Sequence, residues 1–261
     1  MTTLTEHHVR RTPRLGGFNA TILRLELRRL LRNRRTVVFT LVMPVVFFLL
    51  FGLDAAYADQ DAGHGNVAAY IMISMAVYGA MVATTGAGAS VSLERSLGWS
   101  RQLRLTPLAP AAYVAVKLVM ALAVGLAAIV AVYAVGVFTH KAEMPVHLWV
   151  ETALIAWAGS LVFAAFGLFM GYVLPGENVM QILGPGLALL AFLGGLFVPL
   201  DQGSVMETVA RFTPMFGLNQ LVHAPLTGDA VQPTWVLNVA AWLVVFTGGA
   251  IWRFRKDTAR V

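Results

Sequence analysis

Apolar residues in this chain come in long unbroken runs, and the polar ones collect in short stretches between them. Six of the runs approach or exceed the roughly 20 helical residues that cross a bilayer. The first covers 36–53, with Pro44 inside it. The second lies within 62–93, a window free of Asp, Glu, Lys and Arg, and is centred on 67–91. A small-residue string from Ala83 to Ser90 predicts close helix contact along it. The third covers 111–138, where Lys117 sits near enough to the start to reach the interface with its ammonium group. The fourth lies between Glu151 and Pro175, the fifth between Glu177 and Pro199 with a break expected at Gly184-Pro185-Gly186, and the sixth follows Pro233 and stops at Trp252.

The stretches outside these runs have patterns of their own. Residues 1–17 are polar, without period, and read as a disordered tail. Over 18–35 the pattern is amphipathic. Leu23, Leu27, Leu30 and Leu31 recur at helical spacing beside a stripe of Arg24, Arg28, Arg32 and Arg35, which predicts a helix lying in the headgroup layer. Residues 201–233 are too apolar for a loop and too interrupted by Pro214, Gly217 and Pro225 for a span. Two short helices dipping back into the outer leaflet would bury Phe212, Met215, Phe216, Leu218 and Leu221 there while satisfying their own backbone. The fold class expected is therefore all-α and integral to the membrane. It comprises an interfacial helix over 18–35, six spans over 36–252, a re-entrant outer hairpin between spans five and six, and a basic tail over 253–261.

Composition supports this reading: 58% of the 261 residues are apolar and 12% charged, against about a quarter charged in soluble domains. Charge then sets the orientation. Of the 19 Lys and Arg residues, nine precede the first span, three follow the second and four follow the sixth, while only Lys141 and Arg211 fall on the other side. That asymmetry predicts both termini in the cytoplasm of a bacterial inner membrane. It also assigns the net charge of +6 to topology and lipid contact rather than to nucleic acid. Ala56-Tyr57-Ala58 has the form of a signal cleavage site, but the charged region before it is too long for one, and no cleavage is expected.

Candidate chemistry is sparse. With no cysteine, thiolate catalysis and cysteine-ligated metals are absent. The six histidines, at 7, 8, 64, 140, 147 and 223, are all assigned to tails or loops. His140, Glu143 and His147 have helical spacing that Pro145 interrupts, so no metal or catalytic site is expected, and neither cofactor nor metal is assigned to this chain. Phe39, Phe47, Tyr78 and Phe192 are candidates to line a substrate cavity within the spans.

One cytoplasmic stretch, 92–107, reads as a short amphipathic helix ended by Pro107 and too polar for lipid. On physical grounds it lies on the membrane or fills a groove on a partner, and the two are equal. Its residues Leu93-Glu94-Arg95-Ser96-Leu97-Gly98-Trp99, followed by Gln102-Leu103-Arg104-Leu105-Thr106-Pro107-Leu108, resemble the Glu-Arg-x-x-Gly and Leu-x-x-Thr-Pro pattern of ABC-2 type permeases. Gly194-Gly195-Leu196-Phe197-Val198-Pro199 resembles the end of span five in the same family.

That resemblance implies the membrane half of an ATP-driven exporter of amphiphilic substrates, similar to daunorubicin-resistance permeases and G-subfamily half-transporters. Two copies, or a copy and a close paralogue, would pair with two separate ABC ATPase subunits that bind ATP and Mg. A Gly-x-x-x-x-Gly-Lys-[Ser/Thr] phosphate loop is absent here, in keeping with that division. By the resemblance, Glu94, Arg95, Gly98, Trp99, Arg101, Leu103 and Leu105 belong to the coupling helix, and Leu196 and Phe197 to a hydrophobic valve. Within the same family, the alternative the resemblance leaves open is export of a lipid-linked glycan or of sodium. A membrane scaffold or sensor is the reading from another class.

Overall fold

The computed structural model describes residues 34–54, 56–98, 110–176, 179–201 and 203–259. Among them the chain forms nine helices: α1 (Arg34–Phe51), α2 (Val67–Ser96), α3 (Pro110–Thr139), α4 (Val146–Gly159), α5 (Leu161–Val173), α6 (Val179–Leu193), α7 (Val205–Ala210), α8 (Pro214–Thr227) and α9 (Pro233–Ala259). The only strand-like pairing described is an isolated bridge between Asp61 and Asn66. The tail and most of the amphipathic segment expected at 18–35 lie outside the described residues.

Four stretches are long and apolar enough to cross a membrane: Val67–Ser96, Tyr113–Thr139, Val146–Val173 and Pro233–Lys256. The third joins α4 to α5 through Ser160, whose φ of −62° and ψ of −14° keep the chain helical. The remaining two predicted spans contain shorter apolar helices, Thr40–Phe51 and Val179–Leu193. The molecule is an all-α membrane protein.

Helix α2 is the axis of the packing. Its most apolar stretch is 72% buried inside the chain, against 17% for α9. Small side chains make this possible. A Cβ on Gly88 would lie 2.5 Å from the Ala164 carbonyl oxygen, and one on Gly167 only 2.2 Å from that of Thr85, so α2 and α5 touch backbone to backbone. The Thr85 hydroxyl donates to the Phe163 carbonyl across the same contact (3.2 Å). Pro44 of α1 packs over Gly79 of α2, where a Cβ would meet its ring at 2.9 Å. The close contact predicted from residues 83–90 is thus present, and it holds the centre of the molecule.

Several boundaries differ from expectation. The break predicted at Gly184-Pro185-Gly186 is absent: α6 continues through it. Neither glycine has a neighbour within 4 Å of where its Cβ would be, so that stretch presses on no other helix. Span four starts at Val146, before Glu151, which therefore stands exposed in the helix rather than at its end. The basic residues after Trp252 extend α9 to Ala259. The residues 92–98 do not open a separate helix. They finish α2, which stops where Gly98 takes φ +72°, a left-handed conformation suited to glycine. Residues 99–109, with Trp99, Arg101, Leu103 and Leu105, lie outside the described residues.

The hairpin expected between spans five and six is present as α7 and α8. Ser204 caps α7 by accepting from the Glu207 amide (3.0 Å), and Thr213 caps α8 with Pro214 at the first helical position. Gly228, at φ +79°, ends α8. The last carbonyls of α8 are met from the loop before α2: the His64 amide donates to Leu226 and its ring Nδ1 donates to Pro225 (3.1 Å). Asn66 then binds three ways, capping α2 through Ala69 and holding Lys141 and Glu143 of the α3–α4 loop. These ties define a hairpin end of the molecule. The other end, where α9 finishes in Arg253, Arg255 and Lys256, is the basic end.

Candidate functional site

At the basic end, the α2 turn that precedes residues 99–109 carries Glu94. Glutamate there faces inward because α2 is covered on that side by α3, and the carboxylate is 3% exposed. Lys117 places its ammonium 2.5 Å from Oε1, and the Tyr113 hydroxyl donates to Oε2 at 2.5 Å. The two donors lie one helical turn apart on α3, at i and i+4, so one face of that helix supplies both. Lys117 is itself 3% exposed. The expectation that it reaches the interface is corrected: a buried carboxylate holds it, and leaving either partner alone in the interior is costlier than pairing them.

Next to Glu94, Arg95 turns the other way, toward α5. Its Nη1 donates to the carbonyls of Tyr172 (2.9 Å) and Gly171 (3.3 Å), and its guanidinium lies 5.5 Å from the Tyr172 ring centroid. These carbonyls belong to the last turn of α5, which has no intrahelical donors left and bears the negative end of the helix dipole. The Ser92 hydroxyl donates to Leu174 at the same helix end (2.8 Å). One turn of α2 is thereby joined to α3 by a buried ion pair and to α5 by a cationic cap. Of the expected coupling residues, Glu94 and Arg95 hold helices together, and Gly98 ends the helix that carries them.

Midway, an aromatic run links three elements. Phe47 of α1 lies 6.2 Å from Tyr78 of α2, and Tyr78 lies 5.1 Å from Phe197 beyond α6. All three are partly buried. Phe192 is 47% exposed on α6 and outside this run, and the side chain of Phe39 lies outside the described residues.

Leu196, assigned with Phe197 to a hydrophobic valve, is 1% exposed in the core of its own chain. The reason is local. Gly195 adopts φ +76°, its amide bonds the Phe192 carbonyl (3.1 Å), and the Leu196 amide bonds that of Ala191 (2.9 Å). This pair of bonds is a Schellman motif, whose residue after the glycine packs back on the helix. The Gly-Gly-Leu sequence is a helix stop that turns Leu196 inward, and Phe197 is the one of the two with exposed surface.

At the hairpin end, sequence reasoning missed His223, placed there in a loop. It is 4% exposed on α8. Nδ1 lies 2.9 Å from the Asn219 carbonyl, while Nε2 lies 3.1 Å from the Ser74 hydroxyl of α2 and 3.2 Å from the Tyr70 carbonyl, so each ring nitrogen faces a backbone acceptor. Burial lowers the pKa to about 4, which keeps the ring neutral. The ring stacks on Tyr70 at 3.9 Å. Asn219, one turn earlier, donates from Nδ2 to the Gly194 carbonyl at the end of α6 (3.1 Å). The signal was available: Met215, Asn219, Val222, His223 and Leu226 share one helical face after a Thr-Pro start. Beside this cluster Glu207 accepts from Arg211 (2.8 Å) and from the Gly203 amide (2.7 Å), and those bonds hold its carboxyl below the usual range.

Residues 19–224 match the family described as ABC-2 type transporter. The chain is 26% identical over 227 residues to the Bacillus subtilis (strain 168) protein named Putative transport permease YvfS, a match spanning 85% of this chain and 90% of that one.

Proposed function

The chain belongs to the ABC-2 type transporter family, and from that premise we propose that it is the permease subunit of an ATP-driven exporter. It moves an amphiphilic, drug-like or lipid-like substrate outward, while a separate ABC ATPase subunit binds ATP and Mg and hydrolyses the nucleotide. Two permease copies and two ATPase subunits make the working complex, with six spans per copy and both termini in the cytoplasm.

The observation that carries this reading is the junction at Glu94 and Arg95. Residues 99–109 leave α2 directly after a turn that is pinned to α3 by a buried ion pair and to α5 by a cationic cap. A push on Trp99, Arg101, Leu103 or Leu105 by a closing ATPase is delivered to three helices together instead of being absorbed by one. The segment acts as the coupling element, and Glu94 acts behind it as an anchor rather than as a contact to the partner. Phe47, Tyr78 and Phe197 then form the apolar surface past which substrate moves, with Leu196 fixing the position of Phe197 from inside.

The test is substrate-stimulated ATP hydrolysis by the reconstituted complex across a panel of drugs, lipids and ions. Stimulation by amphiphiles, lost in Leu103→Asp while the permease stays inserted, is the expected result. Stimulation by sodium or by lipid-linked glycans alone would replace the substrate class, and an ATPase indifferent to the permease would overturn the reading.

A further inference from the structure

Helix α9 has little of its surface covered by the rest of the chain, yet the contacts it does make fix its rotation. Phe246 is buried on Phe166 of α5 (ring centroids 5.0 Å apart), Ala250 is buried one turn later, and Phe254 meets the Tyr172 ring edge-on at 5.8 Å. These residues, at i, i+4 and i+8, mark the inward face. The opposite face carries Val245, Gly248 and Trp252, all exposed, and Lys256 continues that strip one turn beyond Trp252.

At the end of the strip two cations converge on one ring. The Arg253 Cζ lies 5.9 Å and the Lys256 Nζ 5.3 Å from the Trp252 ring centroid. The indole attracts both but neutralises neither. The ion pairs among the described side chains join Lys117 to Glu94, Lys141 to Asp59 and Arg211 to Glu207, and none includes Arg253 or Lys256. Two like charges held beside one ring repel each other, and a shared anion removes that cost.

The apolar strip decides what carries the anion. A free phosphate or an acidic protein surface arriving from water would use the cations and leave Trp252, 58% exposed, uncovered. A phospholipid uses both parts. Its chains lie along Val245 and Gly248, where nothing stands within 4 Å of a Cβ added to the glycine. The indole then sits at the headgroup level that tryptophan favours, and the phosphate meets the two cations. Phosphatidylcholine brings its own ammonium group, whereas an anionic headgroup leaves its charge for the protein to meet. We propose that the end of α9 is a binding site for one anionic phospholipid in the leaflet at the basic end, held by Arg253 and Lys256 beside Trp252. The inference does not depend on the export reading. A lipid bound there steadies the contact of Phe254 with Tyr172, whose carbonyl Arg95 caps.

The test uses the purified full chain in phosphatidylcholine nanodiscs, into which phosphatidylglycerol with brominated chains is titrated. Bromine quenches indole on contact, so the signal of Trp252 is the difference between each protein and its own Trp252→Phe background. Half-maximal quenching is expected at a mole fraction about twentyfold below that for brominated phosphatidylcholine, at roughly fivefold per cation. In Arg253→Gln/Lys256→Gln the two lipids should quench alike, while Lys256→Arg should keep the preference because the charge remains. Equal quenching by both lipids in the wild type overturns the proposal, as does a preference that survives the double glutamine variant. A preference abolished by glycerol 3-phosphate at constant ionic strength would mean that the cations take phosphate from water, and one abolished by the ATPase subunit would make this face a protein contact. Either result also overturns it.

Discussion

The two ends of this molecule solve the same packing problem with opposite chemistry. At the basic end, α2 is joined to its neighbours by full charges: a buried Glu94–Lys117 pair and an Arg95 cap. At the hairpin end, the buried joints are neutral: a histidine shared by α8 and α2, asparagine amides and hydroxyl caps. Charged joints are strong in the interior but tolerate no loss of a partner, whereas neutral ones fail by smaller steps. The difference fits the proposed function, in which the basic end would transmit an ATPase's push without slipping.

The comparison can be broken most severely at Glu94. Removing one partner, as in Lys117→Met, strands a buried carboxylate and should cost about 3–5 kcal/mol, read as thermal unfolding in detergent. The double variant Glu94→Gln/Lys117→Met should recover most of that, because no uncompensated charge is left. Equal melting of single and double variants would show that the pair is not a lock.

At the hairpin end the next largest effect comes from pH. His223 has a folded pKa near 4, lowered from 6.5 by burial. Between these values the unfolded chain binds a proton that the folded chain does not, so stability is complete above about 6.5 and declines as pH falls toward 4. The full loss is of order 3 kcal/mol. His223→Gln should flatten the melting curve over that window, and a wild-type melting temperature that is constant from pH 7 to 4.5 would contradict the neutral joint.

A smaller effect sharpens the contrast within the α2–α5 contact that joins the two ends. Gly167→Ala inserts a methyl group 2.2 Å from the Thr85 carbonyl and forces the helices apart, at a cost of about 1–3 kcal/mol. Smallest is Thr213→Ala, which removes one N-cap of α8 and should cost about 1 kcal/mol, visible as faster amide exchange confined to the first turn of that helix.

Much of this architecture was legible beforehand because it rests on local pattern. Long apolar runs and the small residues of 83–90 act through neighbours in sequence. The rest depends on partners far along the chain. Lys117 lies 23 residues from Glu94 across residues 99–109, and no periodicity links them, so it read as an interface lysine. Leu196 is assigned to a valve only by resemblance, while a glycine conformation one residue earlier decides its direction. His223 read as a loop residue because the prolines around it were taken as breaks. Pro214 begins a helix, and Pro225 lies within one.

The central claim is outward movement of an amphiphile driven through this subunit by a partner ATPase, and inside-out vesicles test it most directly. Vesicles containing the permease and its ATPase subunit should accumulate a fluorescent amphiphile in the lumen only when ATP and Mg are supplied outside. Leu103→Asp should abolish accumulation while the permease remains in the membrane. No ATP-dependent accumulation, or equal accumulation without the permease, would contradict the account.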